Sequence, residues 1–335
     1  MNVVRIAGSD ASFECAVGES LLDGAARHGI ELPYSCRKGV CGNCAGRVPE
    51  GEVVGVRGAP MTNETCLPGQ VLFCMCAPVS TAVIAPTEWH RIDPGARKKF
   101  TARVFRNQRV APDVSLLQLR LPTGQRAKFK AGQYLRVTAA DGSTRCYSMA
   151  NPPHESDSLS LHIRHVPGGS FSTRVPELHS GDTLEVELPF GAFSLREGER
   201  PIVLVAGGTG FAPIKSILDD MARRNVDRPT TLIWAARQAD GIYLRPAVEK
   251  WQKKWPGFRF VAALSDATDA LPEGFVGARA DQALVQCMPA LQGHELYCCG
   301  GPPMVAAVRE AALRLGLDPR DFHSDVFVEG PAVPG

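Results

Sequence analysis

Nowhere in its 335 residues does the chain carry eighteen consecutive apolar residues, so no membrane-spanning helix is expected. The opening MNVVRIAGSD has neither a basic n-region nor an apolar h-region; secretion is not expected, and the cytoplasm is the expected location. A large excess of one charge is also missing. With 37 Lys+Arg against 35 Asp+Glu the formal net charge is +2, which removes the usual electrostatic argument for a nucleic-acid partner. No internal repeat or low-complexity tract appears. Cysteine, by contrast, is plentiful. Eleven thiols in a chain without a secretory leader point away from a disulfide framework, because the cytosol keeps thiols reduced, and toward metal binding or redox chemistry. Hydrophobic residues at 44% and charged residues at 21% fit a globular protein, and the length suits two or three domains.

The small net charge hides an uneven distribution. Residues 1–92 carry seven Lys/Arg against nine Asp/Glu, whereas residues 97–136 carry eleven basic residues and one acid, Asp113. Such a basic stretch is either a solvated face of β-strands or a surface for an acidic partner or a phosphate-bearing cofactor. VVRIAG and SFECAV flank the turn-like GSDA and predict a hairpin. Ser20 then precedes LLDGAARHG, with Asp23 three residues on and Gly29 as a stop, which predicts a short capped helix. Around APTEWHRIDPGARKK apolar periodicity lapses, placing a linker at 93–99 between a domain of residues 1–92 and a second domain that begins at Phe100. From Phe100 to about residue 198, TARVF, VSLLQLRL, QYLRVTA, LSLHIRHV and TLEVELP alternate with turns, the spacing of a small antiparallel β-barrel. From 199 to 335 strands such as IVLVAGG, TTLIWAAR and ELYCCGG alternate with helical stretches, the pattern of a doubly wound parallel sheet.

Cys36, Cys41, Cys44 and Cys74 give C-x4-C-x2-C-x29-C, the ligand spacing of plant-type [2Fe-2S] proteins. Three ligands on one tight loop need sharp backbone bends, which Gly39 and Gly42 permit. A zinc site usually pairs two CxxC-like hooks, and only one exists here. Cys76 could replace Cys74 as fourth ligand, but the spacing favours Cys74; Cys15, Cys66, Cys76, Cys146, Cys287 and Cys298 read as small buried hydrophobes.

Two further segments suit a flavin. In RCYSMANPP, Arg145 can pair with a diphosphate, Tyr147 offers a flat ring and Ser148 a hydroxyl. In HVPGGSFSTRVPEL, Gly168, Gly169, Ser170 and Ser172 can form a helix N-terminus whose amides hold a diphosphate, although a plain turn with an N-cap has the same composition. LVAGGTGFAP places G-x-G-x-x-P between a buried strand and a helix. Gly208 and Gly210 allow close approach to a pyrophosphate, and Pro213 suits the first helical turn. Cys299 and Gly300, in ELYCCGGPP, stand at a later strand end above the same crevice. At the end of LIWAARQAD, Arg237 can pair with a 2′-phosphate, and no acid immediately precedes it, which favours NADPH over NADH.

These segments together resemble the ferredoxin-NADP reductase superfamily fused to a plant-type ferredoxin. That is the layout of the reductase components of bacterial Rieske-type aromatic-ring-hydroxylating dioxygenases, and the resemblance covers essentially the whole chain. It is carried by YSCRKGVCGNC, KFKAGQYL, YSMANPPHESD, LHIRHVPGGSFST and AGGTGFAPIKS. The resemblance implies a multidomain fold: an N-terminal β-grasp [2Fe-2S] domain, an FAD-binding barrel and an NAD(P)-binding parallel-sheet domain. It implies Arg145, Tyr147 and Ser148 as flavin contacts, Ile163, Arg164 and His165 lining the flavin, and Gly169 and Ser172 at its diphosphate. Thr209 and Cys299 are implied at the nicotinamide, Asp325 near the hydride path and Phe327 over the flavin ring. Two departures stand out: eight residues follow Phe327, and Gly301 replaces the first proline of the relatives' CGPP.

Nicotinamide gives up two electrons as a hydride, whereas a [2Fe-2S] cluster accepts one at a time, so FAD is expected between them. The expected route runs from NAD(P)H through FAD and the cluster to a terminal Rieske oxygenase, with aromatic carboxylates as the substrate class. No Rieske ligand pair or facial triad stands out, so hydroxylation is not expected on this chain. The alternatives are a reductase serving a diiron monooxygenase or a deoxysugar dehydratase, or an iron-sulfur redox sensor that makes no use of nicotinamide. Arg37 and Lys38, inside the ligand loop, either steer an acidic partner or offset the charge of the cluster.

Overall fold

The computed structural model describes residues 1–92, 97–266 and 271–328 and divides the chain into two compact units, Met1–Arg97 and Lys98–Gly335. Of the expected linker at 93–99, residues 93–96 lie outside the described residues. Lys98 and Lys99 already belong to a strand, because their backbones pair with Leu188 and Glu187.

In the first unit a five-stranded sheet runs in the order Ser12–Cys15, Asn2–Ile6, Ala82–Pro86, Ala45–Glu50, Val71–Leu72. The first two strands form the expected hairpin, and Asn2–Ile6 pairs in parallel with Ala82–Pro86. The helix Leu21–Arg27 buries Leu21, Leu22 and Ala25. Its start is set by Ser20, whose hydroxyl accepts the Asp23 amide at 3.0 Å and donates to the Asp23 carboxylate at 2.6 Å. It stops where Gly29 turns left-handed, at φ 71°.

The second unit begins with six antiparallel strands in the order Thr144–Ser148, Tyr134–Thr138, Thr183–Phe190, Lys98–Ala111, Val114–Arg120, Ser158–Arg164. A bridge between Met149 and Leu161 joins the two ends of this sheet and closes it around Leu117, Leu119, Leu135, Val137, Leu161 and Ile163. Then comes a parallel sheet in the order Phe275–Gly277, Phe258–Leu264, Thr230–Ala236, Ile202–Gly207, Glu295–Gly300, Phe322–Val326. Strand order reverses at Ile202–Gly207, and such a switch point opens a crevice at the carboxyl ends of the strands.

Polar bonds join barrel and parallel sheet. Ser216 donates to the Asn151 carbonyl at 2.7 Å, and Lys215 to that of Ala150 at 3.4 Å. His162 Nδ1 lies 3.0 Å from the Tyr243 hydroxyl. Burial, with a smaller contribution from Lys215, pushes His162 down to about 3, so the ring is neutral. At the opposite end of the sheet, Glu295 binds Arg228 at 3.1 Å and Arg200 at 2.9 Å, and accepts from Tyr297 at 2.7 Å. Arg228 also donates to the carbonyls of Arg200 and Arg196, fixing the segment that leaves the barrel. No helix among the described residues is long and apolar enough to cross a membrane.

Candidate electron-transfer sites

The cysteine loop of residues 36–44 has no regular secondary structure, and the next strand begins at Ala45. Three of its residues take positive φ: Arg37 at 53°, Gly39 at 73° and Gly42 at 76°. Gly42 has no room for a side chain, since a Cβ there would collide with Thr65 Oγ1. The backbone thus folds around Cys36, whose sulfur accepts the amides of Lys38 and Cys41 at 3.4 Å each. The four thiols fall into two contacting pairs, Cys36 with Cys41 and Cys44 with Cys74. Cys36 is drawn down to about 5, first by the Cys41 thiol and then, against burial, by the loop amides. Cys74 is lowered by the Cys44 thiol and by the Gly39 amide. Cys41 and Cys44 are pushed up, in each case by the partner sulfur and by burial. Two pairs of sulfurs can hold two irons, one pair per iron.

Arg37 pairs with Asp23 of the neighbouring helix and lies 5.1 Å over the Tyr34 ring, so its guanidinium folds back onto the unit. Asn63 and Thr65, in the segment that crosses outside the loop, carry no signal in the sequence. Nothing in MTNETC distinguishes a side chain that holds a backbone from an ordinary polar turn.

At the barrel, Arg145 donates to Ser170 at 2.8 Å, and Ser143 meets the same hydroxyl at 3.3 Å. Tyr147 stands 5.6 Å from Phe171. Burial holds its phenol well above the usual range. Ile163 packs inside the barrel core with its side chain buried. Arg164 is ion-paired with Asp113 at 2.6 Å, and His165 Nε2 is 2.9 Å from Ser115. His165 is lowered by burial and by Arg109. The stretch from Gly168 to Leu178 forms turns and a single 3-10 turn, Val175–Glu177, the plain-turn alternative to an α-helix. Pro176 removes one amide from that turn. Ser172 is committed to the turn as well, accepting the Val166 amide at 3.1 Å. Arg145 and the Ser170 hydroxyl thus stand together at this turn, while the Gly169 amide is itself committed to the Val166 carbonyl at 2.9 Å.

At the switch point, Ser148 from the barrel donates to Asp325 at 3.3 Å, and both are buried. Asp325 stands beside Cys299 on the adjacent parallel strand. Cys299 is fully buried, and burial followed by the Asp325 charge pushes its thiol well above the ordinary range. A neutral thiol, a carboxylate and a hydroxyl thus meet where barrel and parallel sheet join. The turn Gly208–Gly210 closes over this point. Gly210 leaves no space for a Cβ against the Cys299 carbonyl, and the Trp234 indole donates to the Gly208 carbonyl at 3.0 Å. Thr209 is half-buried on the turn, and Gly300 is buried beside it. Phe327 is half-buried with its amide on the Gly300 carbonyl at 2.9 Å, and 329–335 lie outside the described residues. Arg237 is exposed at the end of Thr230–Ala236, away from the Ser148–Cys299–Asp325 group in sequence and strand position.

Three family models match along the chain: a 2Fe-2S iron-sulfur cluster binding domain at residues 4–79, an oxidoreductase FAD-binding domain at 101–195 and an oxidoreductase NAD-binding domain at 204–310. The chain is 54% identical to reductase component 2 of terephthalate 1,2-dioxygenase from Comamonas sp, with 98% of each chain covered. It is 32% identical to the CDP-6-deoxy-L-threo-D-glycero-4-hexulose-3-dehydrase reductase of Yersinia pseudotuberculosis, covering 97% of this chain and 98% of that one. The crystal structure of the Amycolatopsis cytochrome P450 reductase GcoB superposes with a TM-score of 0.77 at 31% identity, over 99% of this chain and 100% of that one. Thiol pairs, barrel and switch-point crevice succeed one another as these matches require, and the chain belongs to the family of iron-sulfur, FAD- and NAD-binding oxidoreductases that includes the terephthalate 1,2-dioxygenase reductase components.

Proposed function

We propose that this oxidoreductase passes electrons from NADPH to a terminal Rieske oxygenase acting on terephthalate or a related aromatic carboxylate. The observation that carries the choice of oxygenase is the 54% identity over 98% of both chains, against 32% for the deoxysugar dehydrase reductase. We assign the cluster to residues 1–92, FAD to 100–198 and the nucleotide to 199–335, a division supported by the matched ranges. The cytoplasm is the assigned location.

FAD, when bound, converts a hydride pair into single electrons, and a [2Fe-2S] cluster takes these one at a time. The chain's own residues do the positioning. Arg145 and Ser170 present a cation and a hydroxyl to a diphosphate. The Gly208–Gly210 turn lets the backbone, with Thr209, approach the nucleotide closely. Ser148, Cys299 and Asp325, buried together, would shield the reacting end of the nucleotide from water and orient it for hydride transfer to FAD, with Phe327 beside them. Tyr147, Arg164, His165 and the Ile163 backbone would border the flavin. Cys36 with Cys41, and Cys44 with Cys74, hold the irons. Arg237 contacts the 2′-phosphate.

Purified protein under argon should show flavin and cluster absorption, both bleached by NADPH. A spectrum with a cluster band alone would end this reading in favour of a sensor. Mixing the reductase with the terminal component of a terephthalate dioxygenase should give coupled product formation, and equal coupling to a deoxysugar dehydrase would overturn the choice of partner. Arg237→Ala should lower the NADPH/NADH ratio of kcat/KM; an unchanged ratio removes Arg237 from nucleotide choice.

A further inference from the structure

Asn63 uses its whole side-chain amide on the cysteine loop and its support. Its Nδ2 donates to the carbonyls of Gly39 at 2.8 Å and Val40 at 3.0 Å. Its Oδ1 accepts the Thr65 amide at 2.9 Å and the Thr65 hydroxyl at 2.5 Å. The same hydroxyl occupies the space that a Cβ on Gly42 would need. Asn63 and Thr65 thus clamp the loop at Gly39, Val40 and Gly42, on either side of Cys41, without being ligands.

The clamp acts on the outward carbonyls of the peptides whose amides face the sulfurs. Fixing the Gly39 and Val40 carbonyls fixes the planes of the two peptides that carry the amides of Val40 and Cys41. The Cys41 amide is already 3.4 Å from the Cys36 sulfur. Amides aimed at the sulfurs favour the more negative, reduced cluster and so raise its potential. We propose that Asn63, oriented by Thr65, is a positioning residue that sets the reduction potential and persistence of the cluster through the loop peptides. This rests on the [2Fe-2S] reading of the four thiols.

The test compares Asn63→Ala and Thr65→Val with wild type in the full chain. Thr65→Val keeps the volume and removes only the hydroxyl, so it reports even where Asn63→Ala assembles its cluster poorly. Three readouts are taken: the cluster midpoint potential by anaerobic dye titration, the rate of iron release to a chelator, and amide exchange over residues 36–44. Losing two hydrogen bonds to the loop should speed iron release by about tenfold in Asn63→Ala, with a smaller change in Thr65→Val. Both variants should have a lower potential and faster loop exchange, while NADPH still reduces the flavin at the wild-type rate. A wild-type potential and release rate in Thr65→Val, together with a wild-type potential in whatever cluster Asn63→Ala holds, overturns the proposal. Absence of a cluster in the wild type would instead overturn the reading on which it rests.

Discussion

In the cysteine loop, the positions of three of the four sulfurs depend on a backbone with three positive φ angles, held from outside by side chains of another loop. In the crevice of the second unit, Ser148, Cys299 and Asp325 stand at or near the ends of β-strands, where the sheets themselves fix their spacing. The loop relies on hydrogen bonds to backbone. The crevice relies on burial and close contact, down to a turn with no room for a methyl group at Gly210. Sites on strands inherit the rigidity of the fold, whereas a loop site must be held in place by dedicated partners.

The sharpest separation of the two is removal of one cluster sulfur. Cys44→Ser should abolish the cluster spectrum and reduce coupled turnover to background, while nicotinamide still reduces the flavin; simultaneous loss of flavin reduction would show that the sites are not built independently. The converse blow falls on the second unit. Glu295→Ala strands Arg228, only 3% exposed, with its charge uncompensated at a cost of about 3–5 kcal/mol. The thermal midpoint of that unit should fall by roughly 10 °C in calorimetry, and the cluster absorption should persist at temperatures where flavin is already released.

Ser148→Ala probes the crevice without unfolding it. Loss of the hydroxyl that holds Asp325 should slow flavin reduction about ten- to hundredfold in stopped-flow, with the cluster potential unchanged. Acid provides the mildest test. His162 titrates at about 6.5 when unfolded and about 3 when folded, so its neutral burial is fully compatible with folding above pH 6.5. Below that the unfolded chain takes up the proton first, and stability falls by about 1.4 kcal/mol per pH unit until about pH 3. Denaturant titrations of the second unit between pH 7 and 5 should show that slope, and His162→Gln should flatten it.

Legible in the sequence is whatever the chain encodes at fixed spacing. The cysteine intervals, the alternation of runs such as LSLHIRHV, and the glycines of AGGTG each carry their structural meaning locally, and the sheets grow out of them.

Tertiary contacts are another matter. Ser148 meets Asp325 across 177 positions of sequence, and His162 meets Tyr243 across 81, through sheet closure and strand order that no local pattern specifies. The composition of the diphosphate segment suits a helix N-terminus and a plain turn alike, and Pro176 with the bond between Ser172 and Val166 decides for turns. Resemblance puts Ile163 against the flavin, but alternation along Ser158–Arg164 turns its side chain into the barrel. Asn63 could not be anticipated at all, because its role depends on which loop passes in front of it.

Trp234 lies fully buried, stacked on Phe211 at 3.8 Å, and its indole N–H is tied to the carbonyl of Gly208. The other three tryptophans, Trp89, Trp251 and Trp255, are all partly exposed. The chain therefore contains its own optical gauge: any displacement of the glycine turn alters the hydrogen bond of the one shielded indole, and a shift in the blue edge of the emission would report movement of that turn without an attached label.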